Sequence, residues 1–319
     1  MSESVKAIGI DIGGTKTAVA AVDETGGIRA IAQFATRSER GFEEGFCELA
    51  AVIREVANQA SWPLKSIEGI GIGCAGPVNS QRGTIHNPYT LPGWENACIV
   101  SRLQEIFRIP ACLENDADAA AAGEFHFGAG QGCSPIVMIT IGTGIGGAVL
   151  VNGEIYRGVH GEHPEAGHVP VDIGGPECYC GTRGCWESLA SGMAIAAAGK
   201  PLGYADSRAV FDAAARDARA EAIVQRAADA TARGTWSLLH TFLPQRLILG
   251  GGIGTEHFER FASVMRQQIA RATQIPKNRV EVVRAQLGND AGVIGAASLA
   301  LTPILILILI LIRTLTPSP

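Results

Sequence analysis

One pattern occurs twice in this chain and limits its fold more than any other feature. An apolar run, a glycine-rich turn and a second apolar run make up Ala7–Val22 (AIGIDIGGTKTAVAAV) and again Ile136–Val151 (IVMITIGTGIGGAVLV). Each reads as a β-hairpin. The first turn holds Gly13, Gly14, Thr15 and Lys16, and the second holds Gly142, Thr143 and Gly144. Backbone N–H groups in such turns can cradle phosphate. Asp11, a carboxylate inside the first strand, is placed to hold a hydrated Mg²⁺. Two copies suggest a duplicated nucleotide clamp, one turn gripping phosphate from each of two lobes. Two other readings of the glycines fail. Gly142, Gly144 and Gly147 match G-x-G-x-x-G, as do Gly71, Gly73 and Gly76. A strand follows the first set, and Pro77 with a polar segment follows the second. A dinucleotide-binding turn opens a helix instead, and no Walker A loop is present.

The segments between the hairpins alternate in period. Phe42–Gln59 and Ile99–Phe107 have helical spacing of apolar residues. Ser66–Gly73 reads as a buried strand, and Ile85–Trp94 as a loop rich in proline and glycine. In Ile109–Gly123 a short strand ends at Glu114–Asn115 and an alanine-rich helix starts at about Asp116. Aspartate is a natural N-cap there. It is also a candidate general base, kept ionised by the positive helix terminus. Asn115 beside it offers both donor and acceptor to a polyol. Ala209–Leu243 is helical by period. Gln245–Gly252 reads as a strand ending in three glycines, where Gly251 and Gly252 let a base or a phosphate approach the backbone. Val280–Val283 reads as a short strand and Ala291–Ala300 as a small-residue helix.

A different chemistry follows the second hairpin. His163, Glu165 and His168 form a polar cluster, and Cys178, Cys180 and Cys185 follow, with Glu187 beside them. Three cysteines so spaced need a fourth ligand to close a tetrahedral Zn²⁺ site. His168 is the first candidate for it and His163 the second. The other cysteines, Cys47, Cys74, Cys98, Cys112 and Cys133, are scattered and read as small core residues. Met1–Lys6 is polar and leads straight into a strand, so no secretory signal is read. Eight cysteines in that setting point to a reducing, cytoplasmic compartment. At 319 residues, with 18% charged and 47% hydrophobic residues, the chain is globular in composition. Its net charge of −5 argues against a general nucleic-acid surface.

Together these residues resemble the ROK family of sugar kinases (repressor, open reading frame, kinase), within the actin-like ATPase fold. The resemblance covers roughly residues 5 to 300. It rests on DIGGTK at 11–16, LENDADAAAAGE at 113–124, TIGTGIGG at 140–147, PEAGH at 164–168, CYCGTRGCWESLASG at 178–192 and LGGGI at 249–253. It implies an α/β, two-lobed actin-like ATPase (ribonuclease H-like) fold with a ligand cleft between the lobes. Residues 1–116 with about 291–319 would form the small lobe, and 117–290 the large lobe with the zinc loop. The resemblance makes Asp116 the catalytic base and Asn115, Glu165, His168 and Glu187 the sugar contacts. It makes His168, Cys178, Cys180 and Cys185 the ligands of a structural Zn²⁺. Asp11, Gly13, Gly14, Thr15 and Lys16 fall in its first phosphate motif, Gly142–Gly147 in the second, and Gly251–Gly252 near the adenosine.

The implied reaction is phosphoryl transfer from MgATP to a hexose hydroxyl. One imidazole nitrogen of His168 would bind zinc while the other faces the sugar. Glucose is the first choice, because NPYTLPGW and C-x-C-G-x-x-G-C resemble glucokinase members. HPEAGH is similar to fructokinases of the family, and N-acetylmannosamine and N-acetylglucosamine kinases share the rest of the site. A sugar-sensing regulator without catalysis is the alternative from another class, but a pure sensor would not need a base at Asp116. The family's repressor branch carries an N-terminal winged helix-turn-helix, and the first phosphate turn at residue 11 leaves no room for one. A homodimer or homotetramer is expected. The tail departs from the family pattern, with nine alternating Ile and Leu residues at 304–312. That run is too short to span a membrane, which takes about 20 residues.

Overall fold

The computed structural model describes residues 5–301, so the Ile/Leu run at 304–312 lies outside the described residues. The chain forms two compact units. Of the described residues, the first takes 5–127, Arg157–His163 and 290–301; the second takes Gly128–Tyr156 and Pro164–Asn289.

The first unit opens with β1 (Lys6–Ile12), β2 (Lys16–Asp23) and β3 (Ile28–Ala35), followed by α1 (Phe42–Gln59) and β4 (Gly69–Cys74). A short pair, β5 (Val78–Asn79) and β6 (Thr84–Ile85), precedes α2 (Ile99–Phe107), β7 (Ala111–Asn115) and α3 (Asp116–Phe127). The sheet runs β3-β2-β1-β4-β7. β2 is antiparallel to β1 and β3, while β4 is parallel to β1 and β7. Sequence dictates these positions. β2 is buried from Thr17 to Asp23, as an inner strand must be, whereas β3 alternates half-buried and exposed residues, as an edge strand does. On α1, Phe46, Leu49, Ala50, Ile53, Val56 and Ala57 are buried at helical spacing. They join Ile8, Ile10, Ile72 and Trp94 in one core. Each fully buried side chain of this size contributes about 1.5–3 kcal/mol.

The sheet has a second neighbour, the helix at 291–301, here α10. A Cβ added to Gly9 would lie 1.9 Å from the Val293 carbonyl oxygen, and one added to Gly71 would lie 1.7 Å from that of Ala296. The glycines of β1 and β4 therefore admit a helix backbone, which accounts for the formal G-x-G beginning at Gly71 without any cofactor. α3 packs on the same helix through small residues, with Ala119 against Gly295.

The second unit contains β8 (Ile136–Ile141), β9 (Ile145–Val151) and β10 (Glu154–Ile155), then α4 (Glu187–Ala190), α5 (Gly192–Gly199), α6 (Ser207–Ala214) and α7 (Ala218–Phe242). β11 (Arg246–Gly250), α8 (Gly252–Glu256), α9 (Phe258–Arg271) and β12 (Glu281–Arg284) complete it. Its sheet runs β10-β9-β8-β11-β12. β8 and β9 form the second hairpin, and β8, β11 and β12 are parallel. Val137, Ile139, Leu247 and Leu249 pack with Trp186, Leu238, Phe261 and Met265.

Three local expectations need correction. Of the scattered cysteines only Cys74 and Cys133 are buried, whereas Cys112 is half-buried and Cys47 and Cys98 are exposed. The helical stretch over Ala209–Leu243 is broken between Ala214 and Ala218. The cause is Asp217, which leaves helical geometry and accepts from the Arg219 N–H at 2.8 Å, capping a new helix. It also takes the Tyr204 hydroxyl at 2.7 Å. The strand expected to Gly252 stops at Gly250, and α8 starts at Gly252 instead.

Candidate active site and metal centre

In the first unit, sheet register gathers the acids. Asp11 in β1 pairs with Gly73, and Asn115 in β7 pairs with Cys74, so both flank the last residues of β4. These are the carboxyl ends of parallel strands, where α/β sheets bind ligands. The buried Cys74 thiol reports the same clustering. It is pushed well up by burial first, and then by the charges of Asp116 and Asp11. Burial also raises the Asp11 carboxyl, and Lys16 only partly draws it back. A buried acid of that kind is stabilised as an anion by an added cation. The adjoining turn is closed by the Gly13 N–H on the Lys16 carbonyl at 3.0 Å. The Thr36 hydroxyl braces it by donating to the Gly13 carbonyl at 2.7 Å. Gly14 and Thr15 lie in this turn, and Gly14 abuts Thr90.

Asp116 is the first residue of α3, not a residue ahead of it. Asn115 does the capping: its Oδ1 accepts from the Ala117 N–H at 2.8 Å, and Asp116 Oδ1 accepts from the same group. Asn115 is buried and Asp116 exposed. An exposed carboxylate in this position can accept a proton from a ligand.

In the second unit, the turn at Gly142, Thr143 and Gly144 is braced from α5. The Gly192 N–H donates to the Gly142 carbonyl at 2.8 Å, and the Met193 N–H donates to that of Thr143 at 3.2 Å. Gly142, Thr143 and Gly252 line one cavity of about 470 Å³, together with Arg208 and the stacked rings of Phe211 and His257. The second turn and the glycines after β11 thus meet, as a nucleotide site would need. Gly251 precedes this wall.

Glu187 starts α4 and is 9% exposed. Its Oε2 accepts from the Ile145 N–H at 2.8 Å, which ties it to the end of the glycine turn. Its Oε1 accepts from the Tyr179 hydroxyl at 2.9 Å. That same hydroxyl lies 3.1 Å from His168 Nε2. Sequence spacing singled out neither Tyr179 nor this triad; the only signal was its place between two cysteines. Burial raises the Tyr179 hydroxyl most, with Glu187 next, so it stays protonated as a donor. Glu165 is exposed, and its carbonyl accepts from the His168 N–H at 3.0 Å.

The donor atoms of His168, Cys178, Cys180 and Cys185 all lie within 4.8 Å of one another. Cys180 Sγ is 3.5 Å from Cys185 Sγ, and Cys178 Sγ is 3.5 Å from His168 Nδ1. Metal bonds of about 2.0–2.3 Å give a tetrahedron with edges of roughly 3.5 Å, and a Cys₃His set is a structural zinc set. Burial, the largest cause, pushes the Cys185 thiol up to about 12, so a cation beside it is needed to ionise it. The cluster is therefore compatible with structural zinc. His163 is not in it; its Nδ1 sits 2.9 Å from Asp118 Oδ2. Among the described residues no helix is long and apolar enough to cross a membrane.

Comparison with known proteins agrees with this geometry. The glucokinase of Thermotoga maritima is 35% identical over 313 residues, covering 92% of this chain and 97% of its own. The ROK hexokinase of Thermus thermophilus has a solved structure with a TM-score of 0.81 at 34% identity, covering 94% of this chain and 99% of that one. The structure of a ROK family glucokinase from Streptomyces griseus, in complex with glucose and AMPPNP, gives a TM-score of 0.75 at 32% identity and covers 93% and 99%. These are α/β proteins of the actin-like ATPase fold, and the strand order of both sheets here is of that type. The sequence pattern of the ROK family spans residues 7–302, and the chain belongs to that family.

Proposed function

We propose that this protein transfers the γ-phosphoryl group of MgATP to a hexose hydroxyl, with glucose as the preferred acceptor. The observation that carries this reading is the junction of β7 and α3. It presents Asp116 at the end of the sheet where Asp11 and the first glycine turn also lie. The names of the relatives support it: a glucokinase, a ROK hexokinase, and a glucokinase with glucose and AMPPNP bound.

In this mechanism Asp116 takes the proton of the attacking hydroxyl. Asn115 lies beside it, and Glu165, His168 and Glu187 supply polar contacts to the sugar. Amides of the Gly13–Thr15 and Gly142–Gly144 turns hold phosphate oxygens. Asp11, with Lys16 nearby, would hold the hydrated Mg²⁺ that comes with ATP, and Gly251–Gly252 would lie by the nucleoside. Positioning and charge neutralisation do most of the work in such transfers. Zinc held by His168, Cys178, Cys180 and Cys185 would act as a structural anchor and activate no water. His168 Nδ1 lies on the cysteine side, 3.5 Å from Cys178 Sγ, and its Nε2 lies 3.1 Å from the Tyr179 hydroxyl. Tyr179 thus links His168 to Glu187, and the three would form one polar wall for the sugar.

The test is a coupled spectrophotometric assay with ATP across a hexose panel, on the parent and on Asp116→Asn. Glucose should give the highest kcat/KM. The variant should bind sugar but turn over about 10² times more slowly, the scale of a lost general base. A kcat within threefold of the parent would remove Asp116 from the mechanism. A homodimer or homotetramer and a cytoplasmic setting go with this reading; light scattering checks the first.

A further inference from the structure

Arg157–His163 belongs to the first unit, although the chain on both sides of it belongs to the second. The segment is anchored by charge. Arg157 Nη2 lies 2.6 Å from Glu114 Oε1, and its Nη1 lies 3.5 Å from Asp118 Oδ2. His163 Nδ1 lies 2.9 Å from the same Asp118 oxygen. The Ser80 hydroxyl donates to Glu114 Oε2 at 3.0 Å. The Asp118 side chain is 0% exposed, and its Oδ1 has no hydrogen-bond partner. Glu114 is 13% exposed and Arg157 26%.

Glu114 and Asp118 bracket Asn115–Asp116. Glu114 is the penultimate residue of strand β7, and Asp118 lies in the first turn of α3. Three acids at alternate positions, Asp118 buried and Glu114 half-buried, repel one another and lose hydration unless a cation answers them. Burial raises the Glu114 carboxyl most, and Arg157 is the first group that lowers it. The Arg157 fork spans the junction with one arm on each side. Twisting the junction would therefore break an arm, and His163 gives Asp118 a second hold.

We propose that Arg157 and His163 are positioning residues for Asp116, fixing the carboxylates on either side of it so that the strand-to-helix junction presents the base in one orientation. This rests on the reading of Asp116 as general base. A displacement of about 1 Å at a reacting group can cost about 10² in rate, so such a hold would be felt in turnover.

The experiment compares Arg157→Gln, His163→Asn, Arg157→Lys and Asp116→Asn for kcat, both KM values and thermal melting. Assays are run where circular dichroism shows each variant folded. Arg157→Gln and His163→Asn are expected to lower kcat at least tenfold while KM for ATP stays within twofold. Arg157→Lys keeps the charge without the fork. It should restore the melting temperature and leave kcat at least threefold down. Should Arg157→Gln fail to fold, the His163→Asn and Arg157→Lys results decide. Folded variants with kcat within twofold of the parent, or full recovery of kcat by lysine, would make the segment a charge-balancing strut and overturn the proposal. Failure of the base assignment is read separately, as an Asp116→Asn variant that keeps its turnover.

Discussion

Glu187 has both carboxylate oxygens committed, one to the Ile145 N–H and one to the Tyr179 hydroxyl. Gly144 makes this possible, since a Cβ there would lie 2.6 Å from Glu187 Oε2. Gly144→Ala should therefore displace the carboxylate and raise KM for the sugar about tenfold, the equivalent of about 1.4 kcal/mol. Steady-state kinetics at saturating ATP checks this, and an unchanged sugar KM would detach Glu187 from the wall. At this scale the sequence was partly legible. The helix start at Asp116 and the clustering of the cysteines could be read from local spacing, because a helix start and a metal loop are built from near neighbours. Tyr179 did not, because its role depends on which way one ring points. Arg157 and His163 were hidden for another reason. His163 meets Asp118 across 45 positions of chain, and no local period encodes such a meeting.

Helices and strands were more legible than individual contacts. α1 and α2 have the bounds their apolar spacing predicts, since each buries one stripe on a sheet. The break before α7 was missed because alanine and arginine on both sides keep helical propensity high while one aspartate side chain caps the new helix. The zinc loop is the element most exposed to test. Cys180→Ser should lose the metal by elemental analysis and raise KM for sugar well above any change for ATP, because His168 loses its anchor. A metal-free variant with unchanged sugar KM would separate the loop from the site. The β2–β3 turn offers a pH test. Burial alone would raise the Asp23 carboxyl, but hydrogen bonds from Thr25, Gly27 and Arg29 outweigh it and leave it lowered. Its stabilisation is then fully present above the ordinary carboxylate value and fades as pH falls through the lowered one. Asp23→Asn should cost about 1–3 kcal/mol near pH 7. The gap in melting temperature between parent and variant should close in acid.

The whole molecule sets the limits of the working chain. Leu301, the last described residue, is fully buried, so the truncation is set after it. No residue placed at the site lies beyond His257, and removal of 302–319 should leave specific activity within about twofold. Loss of activity in a folded truncation would extend the working chain into the tail. α10 also has a consequence for how the protein is made. The glycines that seat it stand at positions 9 and 71, while the helix itself begins at 291. Translation at about 5–20 residues per second separates Gly9 from Val293 by roughly 15–60 s. From the completion of β7 at residue 115 the first sheet still lacks the helix that covers Gly9 and Gly71, while the strands of the second unit, all encoded before 289, can already pair. The unit that begins first in translation is thus the last to close, and the nascent chain presents a glycine-lined apolar face to whatever shepherds it until the final helix emerges.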